Sequence, residues 1–483
     1  MSARRSSLLA ALLALAGLVV AATLVRPTAA PAGQPQAGTL AVDTTAFVCP
    51  STYGSAGAPA TVNVASVASL LHHPAPPVRI TTMQLTGRPS KPTVLPNHVL
   101  TRLHYFRAGH ALLVSASGAG AGAVAVDQRR LIPRGGGRGL YSTPCLRPGT
   151  DFWITGADGR VGFSDSLVLA NAGSTTANIT VNAWATTGPL EPPKLRSFTI
   201  APFSALLLPV ADYTPDDALV TLHVHANSGR ITAEVRDVRT TAARPAGLDW
   251  IPPTRPPART LVVPGIPAGA GQRRLVVANP GSTDATVTLH LLTASGNFAP
   301  AGHPSVVVRA GRTTDVDLTS SLGGQPGAVA LSSDQPVTAA AVSQSSTSLR
   351  RGFPEIQWHV AGTPLRGPAV LPDNNPPFRS VSRIYLTAPN GAAQVRLTAM
   401  TGKSTVLRVP AGRTITVDPV QSLGVVATGP LLLQPVGGAE AYVSRTLYAP
   451  GAHGPLTTAE QPTSLPASLR LPPAVADLRA GIR

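Results

Sequence analysis

His223-Val224-His225 sets two imidazoles two positions apart, which on a β-strand places both on one face. Such a pair can share a metal ion, but a protein site ordinarily needs a third donor, and none is evident nearby in sequence. Leu222 and Val224 alternate with the histidines and read as the buried face, so both imidazoles are expected in solvent and no metal site is assigned. Asp151, Asp158 and Asp165 lie close in sequence around Trp153, the densest polar and aromatic patch in the chain. Paired carboxylates could hydrolyse a glycoside only if two of them faced one cleft. Enzymes of that kind line the groove with several aromatics, and only 4% of this chain is aromatic. Asp151, Trp153, Asp158 and Asp165 are therefore read as a candidate ligand patch, with no catalytic residue among them.

Other catalytic templates fail. The chain has no Gly-x-Ser-x-Gly elbow and no His-Glu-x-x-His helix. Gly402-Lys403-Ser404 imitates the end of a phosphate-binding loop, but position 397 is Leu where that loop needs Gly, and the segment lies between strands. Gly118, Gly120 and Gly122 have no βαβ unit around them, so they form a loop rather than a dinucleotide site. The tract Arg134-Gly135-Gly136-Gly137-Arg138-Gly139 is a single copy without interleaved aromatics, too little for RNA binding. No cofactor and no nucleic acid partner is expected. Cys49 and Cys145 are the only cysteines, and in an exported chain they are expected to form a disulfide.

The elements that would position these residues repeat. Residues 167–184 read LVLANAGSTTANITVNAW, residues 275–292 LVVANPGSTDATVTLHLL and residues 384–401 IYLTAPNGAAQVRLTAMT; Asn171 and Asn279 lie 108 positions apart, as do Ile179, Val287 and Val395. A fixed period is the signature of a tandem structural unit. In the second copy Val287, Leu289 and Leu291 alternate with Thr286, Thr288 and His290, the period of a half-buried strand, after a turn at Asn279-Pro280-Gly281-Ser282. Tight turns are expected at Ala201-Pro202-Phe203-Ser204, Arg309-Ala310-Gly311-Arg312 and Pro410-Ala411-Gly412-Arg413, and late hairpins around residues 227–229, 333–336 and 437–438. Tyr141, Trp250 and Trp358 recur in the connectors and are read as aromatic plugs closing one end of each unit.

With 45 Gly and 49 Pro the chain is about a fifth turn-forming residues, and its short alternating Val, Ile, Leu and Thr runs favour an all-β fold. The expected architecture is tandem immunoglobulin-like β-sandwich domains, about four, after one N-terminal hydrophobic helix; some other sandwich or a small propeller is the alternative. The expected boundaries are 1–30 signal anchor or signal peptide, 31–44 Pro/Ala/Gly linker, 45–140 a divergent first sandwich, 141–249, 250–357 and 358–450 the second to fourth, and 451–483 a Pro-rich tail. Arg4 and Arg5 precede an uncharged run at 8–25, and those 18 residues as a helix span about 27 Å, marginally a bilayer. An uncleaved anchor is favoured over a cleaved peptide because Pro31 follows the Thr28-Ala29-Ala30 cleavage candidate. The formal net charge is +17, carried by scattered arginines with only three lysines, which reads as a solvated surface.

The Cys49-Pro50 start, residues 145–156 (CLRPGTDFWITG), the Asn-Pro-Gly-Ser turn at 279–282 and Gly247-Leu248-Asp249-Trp250 together resemble a family of exported actinobacterial proteins whose domain has no known function. The resemblance covers nearly the whole chain. It implies an N-terminal membrane segment and an extracytoplasmic array, and brings no catalytic residues with it. Two copies depart from the pattern, with Pro389-Asn390-Gly391 in the third and Ala172 in place of Pro in the first. The expected role is a non-enzymatic cell-envelope scaffold or binding module, joined to the membrane through residues 8–25 and to a cell-wall glycan or another envelope protein. The alternative is a glycan-binding protein, or an accessory or enzyme of envelope polysaccharide metabolism.

Overall fold

The computed structural model describes residues 39–470, apart from 51–59, 72–75, 96–99, 106–109, 135–136, 215–217, 242–243, 346–351, 375–380, 426–428 and 467–468. The apolar run 8–25 lies outside the described residues; among those described, no helix is long and apolar enough to cross a membrane. Two units separate, residues 41–467 and residues 1–40 with 468–483. The described part of the smaller unit is β1 (Thr39–Leu40), antiparallel to the last strand, β36 (Leu469–Arg470).

The large unit contains four two-sheet sandwiches. The first has β2 (Thr44–Cys49), β3 (Ala60–Ser66), β4 (Val78–Gln84), β5 (Thr93–Leu95), β6 (Leu100–Tyr105), β7 (Leu112–Ser117), β8 (Val124–Ile132) and β9 (Gly139–Pro144), ordered β2-β7-β4-β5 over β6-β3-β8-β9. In the second, β10 (Asp151–Ala157), β11 (Ser166–Asn171), β12 (Ala177–Trp184), β13 (Pro189–Leu190), β14 (Phe198–Ile200), β15 (Ser204–Pro209), β16 (Val220–Ser228), β17 (Ile231–Thr241) and β18 (Arg244–Ile251) form β10-β16-β12, edged by β13 and β14, over β15-β11-β17-β18. The third has β19 (Ala258–Ile266), β20 (Gly271–Asn279), β21 (Ala285–Thr293), β22 (Asn297–Phe298), β23 (Ser305–Val308), β24 (Arg312–Asp317), β25 (Gly327–Ser345) and β26 (Ile356–Val360). Here β25 runs through the expected turn at 333–336, pairing first with β19 and β21 and then with β20 and β26, so one strand serves both sheets. The fourth has β27 (Ala369–Leu371), β28 (Val381–Ala388), β29 (Ala393–Ala399), β30 (Ser404–Val409), β31 (Arg413–Val417), β32 (Leu431–Gly438), β33 (Tyr442–Ala449), β34 (Leu456–Glu460) and β35 (Thr463–Ser464), ordered β35-β27-β32-β29-β30 over β31-β28-β33-β34. The pairings β11–β15 and β12–β16 correspond to the B–E and C–F pairings of an immunoglobulin-like sandwich, while the first strand, β10, joins the sheet of β12 and β16 and β17 joins that of β11.

The repeated residues have specific work. Val287, Leu289 and Leu291 are buried while Thr286, Thr288 and His290 are exposed, as the alternation requires. Asn279 is fully buried, and its amide donates to the Thr283 and Val308 carbonyls at 2.7 and 3.0 Å while its Oδ1 accepts from the Gly281 amide at 3.0 Å. Asn171 repeats this with Thr175, Ile200, Ala201 and Gly173. Asn at this position therefore pins a turn to a neighbouring strand, satisfying backbone groups that burial would orphan. In the fourth sandwich the position is Thr387, whose hydroxyl pairs with Thr414 at 2.8 Å. At the tight turns Gly311 and Gly412 both have φ of +66°, and Phe203 takes φ of +47° at the matching place.

Each inner sheet ends in its last strand, and these four strands, β9, β18, β26 and β34, touch in a closed ring. They are nearly wholly buried. A sheet edge left in water would offer unpaired backbone groups, and the ring covers all four edges with one another. Apolar cores continue across every joint: Tyr141 and Ile132 with Trp250 and Leu248, Trp358 and Ile356 with the core of the second sandwich, Tyr442 with Val262 and Leu292, and Leu140 with Leu447 and Leu456. Tyr141, Trp250 and Trp358 therefore seal joints between sandwiches rather than the end of one. The strands that carry them close the preceding sandwich, so the joints fall a few residues beyond 141, 250 and 358. Residues 456–460 and 463–464, expected in a tail, are strands of the fourth sandwich.

Polar groups tie the ring as well. Buried Asp249 on β18 accepts from the Trp358 backbone amide on β26 at 2.9 Å and from the Thr458 hydroxyl on β34 at 2.8 Å. The Ser142 amide on β9 donates to Thr458 Oγ1 at 3.0 Å, and its hydroxyl donates to Glu460. Arg138 pairs with Glu355 across the ring, Arg129 sits 3.6 Å from Asp373, and Arg445 meets Asp127 at 3.6 Å and also Glu460. Burial pushes Asp127 upward and brings Arg445 down to about 9, the signature of charges removed from water.

Candidate functional site

The Cys49–Cys145 disulfide is formed, joining the end of β2 to the segment after β9. The four residues of the expected ligand patch do not share a surface. Asp151 and Trp153 start β10, whereas Asp158 and Asp165 lie beyond its end, and seven residues of strand separate Asp151 from Asp158 by about 23 Å.

The far pair belongs to the joint between the second and third sandwiches. Asp165 Oδ2 accepts from the Asp158 amide at 2.8 Å. The Arg160 guanidinium grips Asp158 at 3.0 and 2.7 Å, and Arg239 grips Asp237 at 2.9 and 2.7 Å. Asp237 also accepts from the Trp358 indole N–H at 2.8 Å. Burial, then the neighbouring Asp237 carboxylate, holds Asp165 well above the usual carboxylate range. A cleft of about 310 Å³ opens beside this group, lined among others by Arg160, Phe163, Arg239, Arg274 and Gln344. Phe163 lies 5.2 Å from both Arg160 and Arg239, and Arg274 Nε donates to Asp315 at 2.8 Å. Each of these three guanidiniums already holds a carboxylate, so the cleft offers little charge to an anionic ligand.

The near pair forms a different site on the outer sheet of the second sandwich. In the β10–β16 ladder Asp151 faces His225 and Trp153 faces His223, and side chains at alternate positions share the outward face. Leu222 and Val224 point into the core, as the sequence alternation demands. Asp151 Oδ2 lies 2.8 Å from His223 Nε2 and 3.5 Å from His225 Nδ1. The Trp153 ring stacks on His223 at 4.1 Å and 10°, and on Trp184 of β12 at 5.4 Å and 17°. Trp184 and the histidines were not part of the expected patch. The third donor beside the two imidazoles is 72 residues away from His223 in sequence. Only the pairing of β10 with β16 exposes it. The site thus has three convergent donors and a stacked aromatic wall, open to solvent through the roughly half-exposed Asp151 and His225.

A family model described as a family of unknown function (DUF5719) matches residues 106–425. The chain belongs to this family. No curated protein matches it. Among solved structures, Thermotoga maritima 1070 is 16% identical over 22% of this chain and 94% of its own, with a TM-score of 0.18. A tetra-tandem repeat in the extending region of a large adhesion protein is 13% identical over 89% of this chain and 100% of its own, with a TM-score of 0.10. At TM-scores this low neither carries a structural argument. Membership in DUF5719 assigns no role to Asp151, Trp153, His223 or His225, so their chemistry rests on their geometry.

Proposed function

We propose that this protein is a non-enzymatic scaffold of the cell envelope, working outside the cytoplasm and held at the membrane through residues 8–25. The observation that carries the reading is the closed ring of β9, β18, β26 and β34. Four sandwiches whose cores and buried ion pairs run into one another keep fixed relative positions, unlike domains on flexible linkers. Such a body suits a role in holding partners at set positions, and its breadth of outer sheet suits a cell-wall glycan or another envelope protein as partner. The Cys49–Cys145 bond fits an oxidising compartment. The test is chemical crosslinking in the native envelope, with fractionation. Recovery of defined envelope partners from the membrane fraction is expected. Recovery of the chain in the cytoplasm with free thiols would overturn the reading.

A second reading is favoured by one observation, the stacked Trp153–Trp184 pair beside Asp151 on an outer sheet face. Aromatic rings with an adjacent polar group can hold a sugar ring, which would make the protein a glycan-binding one or an accessory of envelope polysaccharide metabolism. Retention on purified cell-wall glycan that survives high salt and disappears in Trp153→Ala would support it. Retention that collapses with salt would assign the binding to the net charge of +17 instead.

A further inference from the structure

We infer that Asp151, His223 and His225 form a surface site for a divalent first-row transition metal, Zn²⁺ or Cu²⁺. Three donor atoms, one from each residue, lie within 4.8 Å of one another. Metal–donor bonds of about 2.0–2.2 Å in tetrahedral geometry place donors about 3.4 Å apart. The observed 2.8 and 3.5 Å from Asp151 Oδ2 to the two imidazoles bracket that spacing, so small side-chain rotations would bring the donors around an ion. Two imidazoles and one carboxylate are a borderline donor set, suited to Zn²⁺, Cu²⁺ or Ni²⁺ and poorly suited to Mg²⁺ or Ca²⁺, which demand more oxygen.

The backbone positions the donors in advance. His223 and His225 are alternate residues of the central strand of a three-strand ladder, and Asp151 is the direct cross-strand neighbour of His225. Trp153, the neighbour of His223, stacks flat on its ring, which fixes the plane of that imidazole with Nε2 toward Asp151. A site built on paired strands is more rigid than one built on loops. Three protein donors leave coordination positions facing solvent, the arrangement of an open rather than a closed structural site. The inference stands on this geometry alone and is independent of the scaffold reading.

The test uses the full chain in detergent, without a polyhistidine tag, titrated with ZnCl₂ by calorimetry and with CuCl₂ by tryptophan fluorescence. Wild type is expected to bind one equivalent, with no response to MgCl₂, and Cu²⁺ is expected to quench the emission of Trp153 and Trp184 while leaving that of buried Trp250 and Trp358. Loss of an outer-sphere partner alone costs metal sites about 10- to 100-fold. His225→Gln and Asp151→Ala should therefore each weaken Zn²⁺ by at least about tenfold. Trp153→Phe should keep the stoichiometry and lose the share of the quench that Trp153 carries, leaving that of Trp184. His225→Gln and Asp151→Ala replace roughly half-exposed groups, and an unchanged circular dichroism melt confirms folding; should His225→Gln melt early, Asp151→Ala decides. No saturable binding up to about 1 mM, or binding that both variants leave unchanged, would overturn the inference.

Discussion

Asp249→Ala is the substitution that bears hardest on the ring. Asp249 is fully buried, and its two oxygens receive the Trp358 amide at 2.9 Å and the Thr458 hydroxyl at 2.8 Å, so one side chain on β18 satisfies donors on both β26 and β34. Truncation leaves the buried Trp358 amide without a partner and leaves the Thr458 hydroxyl only the Ser142 carbonyl 3.4 Å away. One orphaned buried donor costs about 1–3 kcal/mol, which sets the expected loss. Burial pushes the Asp249 carboxyl well above the usual carboxylate range. Asp249→Asn is nearly isosteric with the native group. Its carbonyl accepts from Trp358 and its amide donates to the Thr458 oxygen, whose own hydroxyl can turn to the Ser142 carbonyl 3.4 Å away. The expected cost of the Asn variant is about 1 kcal/mol or less. Equilibrium urea denaturation followed by the emission of Trp250 and Trp358, both buried at the joints, reads the difference. A shift below about 0.5 kcal/mol for Asp249→Ala, or equal losses for the Ala and Asn variants, would refute the reasoning.

Four further outcomes follow from the same structure. Asn279→Ala strands two carbonyls and one amide and is expected to destabilise the third sandwich by about 3–5 kcal/mol, read as an earlier urea midpoint. Cys49→Ser with Cys145→Ser opens a loop of sequence separation 96 and is expected to cost about 2–5 kcal/mol, checked by thermal unfolding with and without reductant. Burial pushes Glu234 up to about 8 from 4.5, so between those values the unfolded chain has lost a proton that the folded chain keeps, and stability drains as pH rises. Glu234→Gln should therefore gain stability relative to wild type from pH 5 to pH 8. His359 runs the opposite way: burial brings it down to about 3 from 6.5, its contribution is whole above 6.5 and is lost as pH falls toward 3, and His359→Gln should flatten the acid side of a melting-temperature profile.

Periodicity made the strands legible because the buried positions of each sandwich recur at a constant offset: the alternation at Val287, Leu289 and Leu291 is visible in sequence and is the core-facing set of β21. Asn279 was legible as part of a turn, but its amide reaches Val308, a strand 29 residues on, and nothing local signals that. The ring lay further out of reach. Its contacts join Ser142 to Thr458 and Arg138 to Glu355, 316 and 217 residues apart, between strands that each read as the last edge of an independent unit. The candidate site followed the same rule. His223 and His225 announce themselves by spacing, while Asp151 becomes their partner only through the β10–β16 ladder, and the other two carboxylates grouped with it by proximity along the chain end up at the opposite end of β10.

Native-state hydrogen exchange across the full chain tests most directly whether the four sandwiches form one body. Amides of β9, β18, β26 and β34 are expected to share the slowest exchange, with a common free energy equal to that of global unfolding, and to lose it together in Asp249→Ala. Four separate exchange classes, one for each sandwich, with ring strands no better protected than the outer sheets, would contradict the account.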